Sequence, residues 1–259
     1  MNAQLNFKVV GPAEAPPLLL LHELGGSISS WQWMEPILGD RFRHIIVDLP
    51  GAGDSPILNE EMSLEEVADS LVQLLDYLEV QRVNVAGSAY GAVTAAYLSS
   101  LHSDRVSSVM LIAIGSSITE KVSEYVHNRA NQVENEGMEA VVHFSLESSF
   151  PLEFHTNHPD IVESYRNIFI SNDPDNYAVC SRSIANAGTT LTRRIQSIPS
   201  RTAVVGGKQD PSFTPQVIQE VADLLTPPVK PVIIEKAGHF PHIQAPKKLG
   251  DLMIRHFLS

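Results

Sequence analysis

The run Val83-Asn-Val-Ala-Gly87-Ser88-Ala89-Tyr90-Gly91-Ala92 is a short β-branched segment, a cluster of small residues, then a helix-forming segment. It reads as a strand that enters a tight turn and leaves as a helix. A nucleophile elbow has this setting and the pattern Gly-x-Ser-x-Gly, with glycines where the strained turn brings backbone close to backbone. Gly87 and Gly91 fit the outer positions, so the tip is Ala89. Alanine has no lone pair and cannot attack a carbonyl. A frame centred on Ser88 puts Tyr90 where a small residue is needed. In an elbow the side chain before the tip also points away from it. Ser88 therefore stands second as a nucleophile, against a plain reading as a locally bonded hydroxyl.

Working outward, short β-branched or apolar runs alternate with helical patterns. Strands are expected near Phe7–Val10, Leu18–His22, Ile45–Asp48, Val83–Ala86, Val106–Ile114, Thr202–Gly206 and Val232–Glu235. Several are continuously apolar, as strands buried on both faces should be. Ser63-Leu-Glu-Glu66 is a capping-box signature opening a helix to Leu78. Further helices are expected over Tyr90–Leu101, Thr214–Leu225 and Pro246–Phe257. The alternation predicts βαβ units and a doubly wound, mostly parallel α/β sheet. Residues 117–197 lack a strong strand run. They read as helices near Thr119–Glu136, Met138–Glu147, Pro159–Ile170 and Pro174–Ala187, separated by Pro and Gly breakers. The expected division is a core of residues 1–116 and 198–259, with 117–197 inserted as a helical lid.

Three other segments carry chemistry. Leu18-Leu-Leu-Leu-His22-Glu23-Leu24-Gly25-Gly26-Ser27 follows a strand, and such a loop can present a backbone N–H to a developing oxyanion. Leu24 and Tyr90 N–H are the expected donor pair. Glu23 stands where a glycine is expected. It reads either as a carboxylate tolerated by the turn or as one acting on substrate or water. His22 reads as a group that braces the loop, with a general-acid role as the alternative. Ala203-Val-Val-Gly-Gly-Lys-Gln-Asp210-Pro211 and Val232-Ile-Ile-Glu-Lys-Ala-Gly238-His239 each end a strand, one on an acid and one on a histidine. Each is weak alone. Together they set the order elbow, acid, histidine along the chain, at the strand ends where open parallel sheets hold their sites.

Composition narrows the partners. The chain has 259 residues, 43% of them hydrophobic and 19% charged, an ordinary globular balance. A net charge of −12 opposes binding to a phosphate backbone. No apolar run approaches the roughly 20 residues of a membrane span, and the N-terminal residues lack a signal-peptide pattern. One cysteine, Cys180, fits a reducing cytosol and reads as a small core residue. The pairs His239/His242 and His155/His158 share a spacing of three, but no third ligand accompanies either, so no metal is expected. No dinucleotide or phosphate loop appears, so no cofactor is expected. The expected partner is a small molecule in a cytoplasmic protein, with homodimerisation left open. Trp31 and Trp33 read as core or pocket-wall residues. Phe144, Phe150, Phe154 and Tyr165 are candidates to line a pocket under the lid.

The chain resembles the α/β-hydrolase superfamily throughout its length, in particular the 3-oxoadipate enol-lactonase-like branch. The matching residues are His22 to Ser27 with Trp31, Asp48-Leu-Pro-Gly51-Ala-Gly53-Asp54-Ser55, Gly87 to Gly91, Asp210 and Gly238-His239. The resemblance implies a structural role for the Asp48–Ser55 loop. It also implies hydrolysis of a small ester- or lactone-like substrate, and the superfamily includes carbon–carbon bond cleavage. Ala89 and Glu23 depart from the family pattern, which puts an acyl-enzyme route in doubt. Two origins of Ala89 stay open: an engineered knockout, and a natural alanine with His239, oriented by Asp210, as general base on water. Two other functions stay open as well. One is a non-hydrolytic or C–C cleaving enzyme using His239 and Glu23 for proton transfer. The other is a ligand-binding protein that turns nothing over.

Overall fold

A computed structural model of the protein describes residues 5–259. Seven strands form one sheet: β1 (Phe7–Val10), β2 (Pro17–Leu21), β3 (Arg43–Val47), β4 (Val83–Ser88), β5 (Val106–Ile112), β6 (Arg201–Gly207) and β7 (Val232–Ile234). Their spatial order is β1-β3-β2-β4-β5-β6-β7. Only β1 runs antiparallel to its neighbour β3; the remaining pairs are parallel. The chain winds outward from β2 to β3, then crosses to β4 and winds the other way. The crevice between the ends of β2 and β4 is thus the switch point where such sheets hold ligands.

Twelve α-helices complete the described chain. They are α1 (Glu35–Leu38), α2 (Leu64–Tyr77), α3 (Tyr90–Leu101), α4 (Glu120–Glu136), α5 (Glu139–Ser149), α6 (Leu152–Asn157), α7 (Pro159–Ile170), α8 (Pro174–Ala185), α9 (Thr190–Gln196), α10 (Pro215–Leu224), α11 (Pro241–Gln244) and α12 (Pro246–Phe257). The Ser63–Glu66 capping box opens α2 as its spacing requires: Ser63 N donates to Glu66 Oε2 at 2.8 Å and Glu66 N to Ser63 Oγ at 3.2 Å.

Alternation along each strand separates two core layers. Leu19 and Leu21 of β2 pack with α2 and α3 through Leu71, Leu75, Ala92 and Ala96. Leu18 and Leu20 face the other way, onto Trp31, Leu38, Met253 and Phe257. A third cluster joins Val142, Leu146, Tyr165 and Phe169, from the helices between β5 and β6, with Phe240 and Ile243 beyond β7.

The segment expected as one helical insertion divides in two. Helices α4 to α8 share that third cluster. Helix α9 instead places Leu191 and Ile195 in the sheet's own core. Helices α6 and α9 are too short, at 6 and 7 residues, to show a periodic pattern. Strand ends shift as well. β4 runs on to Ser88, and Ala89 N still donates to Ile112 O at 2.9 Å. β5 stops at Ile112, short of the expected Ile114, because Ala113 takes a positive φ of 51°.

Candidate active site

The turn after β4 has elbow geometry although its tip carries no nucleophile. Ala89 caps α3 with φ 49° and ψ −107°. Such a left-handed non-glycine position costs on the order of 1–3 kcal/mol. Packing enforces it on both sides. A Cβ on Gly87 would meet Gly91 O at 2.1 Å, and one on Gly91 would meet Leu21 O at 2.1 Å. Strand β4, helix α3 and the end of β2 therefore touch backbone to backbone, and no other residue fits.

A cavity of about 490 Å³ opens over this turn. Ala89, Leu24, Tyr90 and His239 all line it. Neither Leu24 N–H nor Tyr90 N–H has a protein acceptor among the described residues, so both are uncommitted donors beside the tip. Ser88 is fully buried on β4 and its hydroxyl finds no partner among the described residues. It does not line the cavity.

The acid and the histidine come together. Asp210 lies just beyond β6 and His239 just beyond β7, with His239 Nδ1 2.8 Å from Asp210 Oδ2. The other carboxylate oxygen of Asp210 accepts from Ser212 N at 2.8 Å and Phe213 N at 3.0 Å. Burial alone would push this carboxyl up. The His239 imidazole and the two N–H groups reverse that and hold it below its ordinary value. Because carboxylate oxygens only accept, His239 carries its proton on Nδ1 in the neutral state, which leaves Nε2 as a base toward the cavity. The His239 backbone N–H is tied to Ser149 O of α5 at 3.0 Å, and Phe213 and Phe240 flank the ring at 5.3 and 4.9 Å.

Glu23 belongs to a different arrangement. It borders the cavity yet is only 1% exposed. Ser30 Oγ donates to Glu23 Oε1 at 2.7 Å, and Glu23 Oε2 lies 3.1 Å from His242 Nε2. The second contact brings the two groups together without the angles of a full hydrogen bond. Burial pushes the carboxyl up, but His242, His22 and Ser30 together outweigh it and hold the group at about 2. Trp31 lies against the His242 ring, 4.8 Å between centroids, so the sequence-predicted aromatic is a core residue here.

His22 is enclosed as well. Its Nδ1–H donates to Glu23 O at 2.7 Å and its Nε2 accepts from Leu49 N at 2.9 Å. Both nitrogens are engaged in bracing the loop, and neither faces the main cavity. Asp48 braces the same region: Oδ1 accepts from Ile28 N at 2.6 Å and Oδ2 from Asp54 N at 3.0 Å.

Of the expected lid aromatics, Phe144 and Tyr165 line the cavity. Phe150 and Phe154 stack on each other at 5.5 Å, and Phe150 is buried in the third cluster. Cys180 is buried, donates to Pro50 O at 3.1 Å, and burial pushes its thiol up to about 12. Among the described residues no group of three His, Cys, Asp or Glu side chains is placed to hold a metal ion. No helix there is long and apolar enough to cross a membrane. The wall also contains residues that no motif announced: Ser149, Phe213, and Arg129 in the middle of α4.

Residues 16–246 match the α/β hydrolase fold family, and the chain belongs to it. Among its relatives, 3-oxoadipate enol-lactonase 2 of Acinetobacter baylyi is 24% identical over 246 residues, which cover 95% of this chain and 90% of that one. The crystal structure of the enol-lactonase from Burkholderia xenovorans LB400 superposes with a TM-score of 0.91 at 24% identity, covering 98% of this chain and 96% of the other. A malate-bound esterase from Thermogutta terrifontis gives a TM-score of 0.91 at 24% identity, covering 98% and 92%.

Proposed function

We propose that the protein hydrolyses a small ester or lactone by direct attack of water, with His239 as general base. One observation carries this reading: His239, held by Asp210 at 2.8 Å, and the side-chain-poor tip Ala89 line the same cavity. Alanine leaves room at the tip for the oxygen that a serine hydroxyl would supply. Water there attacks the carbonyl carbon and gives its proton to His239 Nε2. The oxyanion forms between Leu24 N–H and Tyr90 N–H. Collapse of the tetrahedral intermediate breaks the bond to the leaving oxygen, which takes the proton back from His239. The Asp210 carboxylate stabilises the imidazolium in between. Helices α4 to α8 act as the lid that keeps bulk water out. The lactonase and esterase names of the relatives support the substrate class.

Glu23 has no place in this scheme. Its carboxylate borders the cavity but is sealed, with Oε1 taken by Ser30 and Oε2 beside His242. That weighs against a proton-shuttling role and hence against the non-hydrolytic alternative.

A panel of small aryl esters and lactones, assayed with the wild-type chain and Ala89→Ser, tests the reading. The wild type is expected to turn over at least one member with no burst and no acyl adduct in the mass spectrum. Ala89→Ser is expected to introduce a burst and an adduct. A gain of about 10⁴-fold or more in the serine variant would mark an inactivated serine enzyme and overturn the water route. No turnover by either chain would overturn hydrolysis altogether and leave a ligand-binding protein.

A further inference from the structure

Three hydrogen bonds converge where the loop after β7 meets the end of α5. The last carbonyls of a helix have no partner within it, and Ser149 closes α5. Its backbone oxygen accepts from His239 N at 3.0 Å and from Gln244 Nε2 at 2.9 Å. The other end of the same amide, Gln244 Oε1, accepts from Gly238 N at 2.7 Å. One side chain at the end of α11 thus grips both sides of the joint: the helix end, and the residue before the histidine.

The joint is tight. A Cβ on Gly238 would meet Ser149 O at 2.7 Å and Pro151 Cδ at 2.9 Å, so the loop backbone lies directly on the helix end. Phe150 and Phe240, the next residue on each side, pack edge to face at 5.6 Å between centroids. Chemistry selects glutamine here. A carboxamide has an oxygen that accepts and a nitrogen that donates, and the joint needs one of each. Turned over, the amide would set N–H against N–H at Gly238 and oxygen against oxygen at Ser149. A carboxylate only accepts, so glutamate could hold Gly238 but would face the Ser149 carbonyl with like charge. Methionine could do neither.

Asp210 fixes the His239 ring through Nδ1, while the main chain that carries the ring is fixed through Ser149 O. We propose that Gln244 is a positioning residue for His239. It locks the loop bearing the imidazole to the end of α5, and Nε2 keeps its bearing on the cavity only while that joint is closed. This rests on the reading of His239 as the base and of α5 as part of the lid. It makes the placement of the base depend on the seating of the lid, since a movement of α5 carries the His239 loop with it.

Nuclear magnetic resonance tests this without turnover, so a failed hydrolysis assay leaves it standing. In the wild type the Gly238 and His239 amides are expected to exchange slowly with solvent, and the His239 Nδ1 proton to give a sharp low-field resonance. Gln244→Met is expected to speed exchange at both amides by about tenfold or more and to broaden the His239 resonance. The Nδ1 proton of His22, which goes to Glu23 O outside the joint, is the control and stays sharp. Gln244→Glu separates the two bonds: the Gly238 amide stays protected, while the His239 amide exchanges faster and the ring resonance broadens. With a substrate that the wild type turns over, both variants are expected to lower kcat about tenfold and to leave KM within about twofold, since Gln244 does not line the cavity. If Gln244→Met does not fold, Gln244→Glu decides. A His239 resonance as sharp in folded Gln244→Met as in the wild type, or a His239 amide in Gln244→Glu that exchanges at the wild-type rate, overturns the proposal. So does broadening of the His22 signal along with that of His239, which would mark general loosening of the fold.

Discussion

Asp210–His239 and Glu23–His242 pair the same chemical groups, and their histidines stand three residues apart, yet their surroundings differ. The His239 side chain is 16% exposed and meets the cavity, while its partner Asp210 is sealed. In the second pair both side chains are sealed, at 0% and 1%. The first pair has hydrogen-bond geometry and an imidazole nitrogen left over. The second is packed against Ser30 and Trp31, and its ring is sealed away from open space. A carboxylate beside a histidine is therefore not a catalytic signal by itself. What distinguishes the two is whether the far nitrogen reaches open space.

The comparison breaks most easily at His239. In the water mechanism, His239→Asn should lower kcat/KM by about 10²–10⁴-fold, with little change in the melting temperature. Asp210→Asn should fall in the same range, since the imidazole loses the group that sets its tautomer. Steady-state kinetics against a substrate of the wild type reads both. An unchanged rate in either would remove the functional half of the contrast.

Glu23→Gln should show the opposite pattern. Removing this buried carboxylate, held at about 2, should destabilise the fold by about 3 kcal/mol, read from urea midpoints, while the folded fraction keeps its turnover. The pH dependence has a definite sign. Glu23 is held at about 2, below its ordinary value, so its contribution is complete above the usual carboxylate range and fades as pH falls toward 2. The stability gap between wild type and Glu23→Gln should close over that window. Asp210 is shifted the same way, so Asp210→Asn should also lose its stability deficit on acidification. A gap that widens in acid would contradict both assignments.

Ser88→Ala should do least. The hydroxyl has no partner among the described residues and does not line the cavity, so kcat/KM should change by less than about twofold. Removing an unsatisfied buried group should leave stability unchanged or raise it by up to about 1 kcal/mol. A large loss of turnover would restore Ser88 as the nucleophile and reopen the reading of the turn.

The sequence by itself determined the sheet. Its apolar runs and the Gly87–Gly91 spacing placed the strands to within two residues and put the tip at Ala89, because buried strands and backbone contacts leave local marks. The order of Asp210 and His239 after the elbow was legible for the same reason: each follows a strand end. Only the tertiary structure decided the rest. Nothing near Glu23 in the sequence marks His242 as its partner, since 219 residues of chain separate them and the pairing depends on α11 packing against the loop after β2. Arg129 likewise sits in an ordinary amphipathic helix, and its place on the cavity wall is a fact about which side chains surround it in space. Local periodicity writes elements into a sequence, but burial and charge compensation are properties of the packed whole.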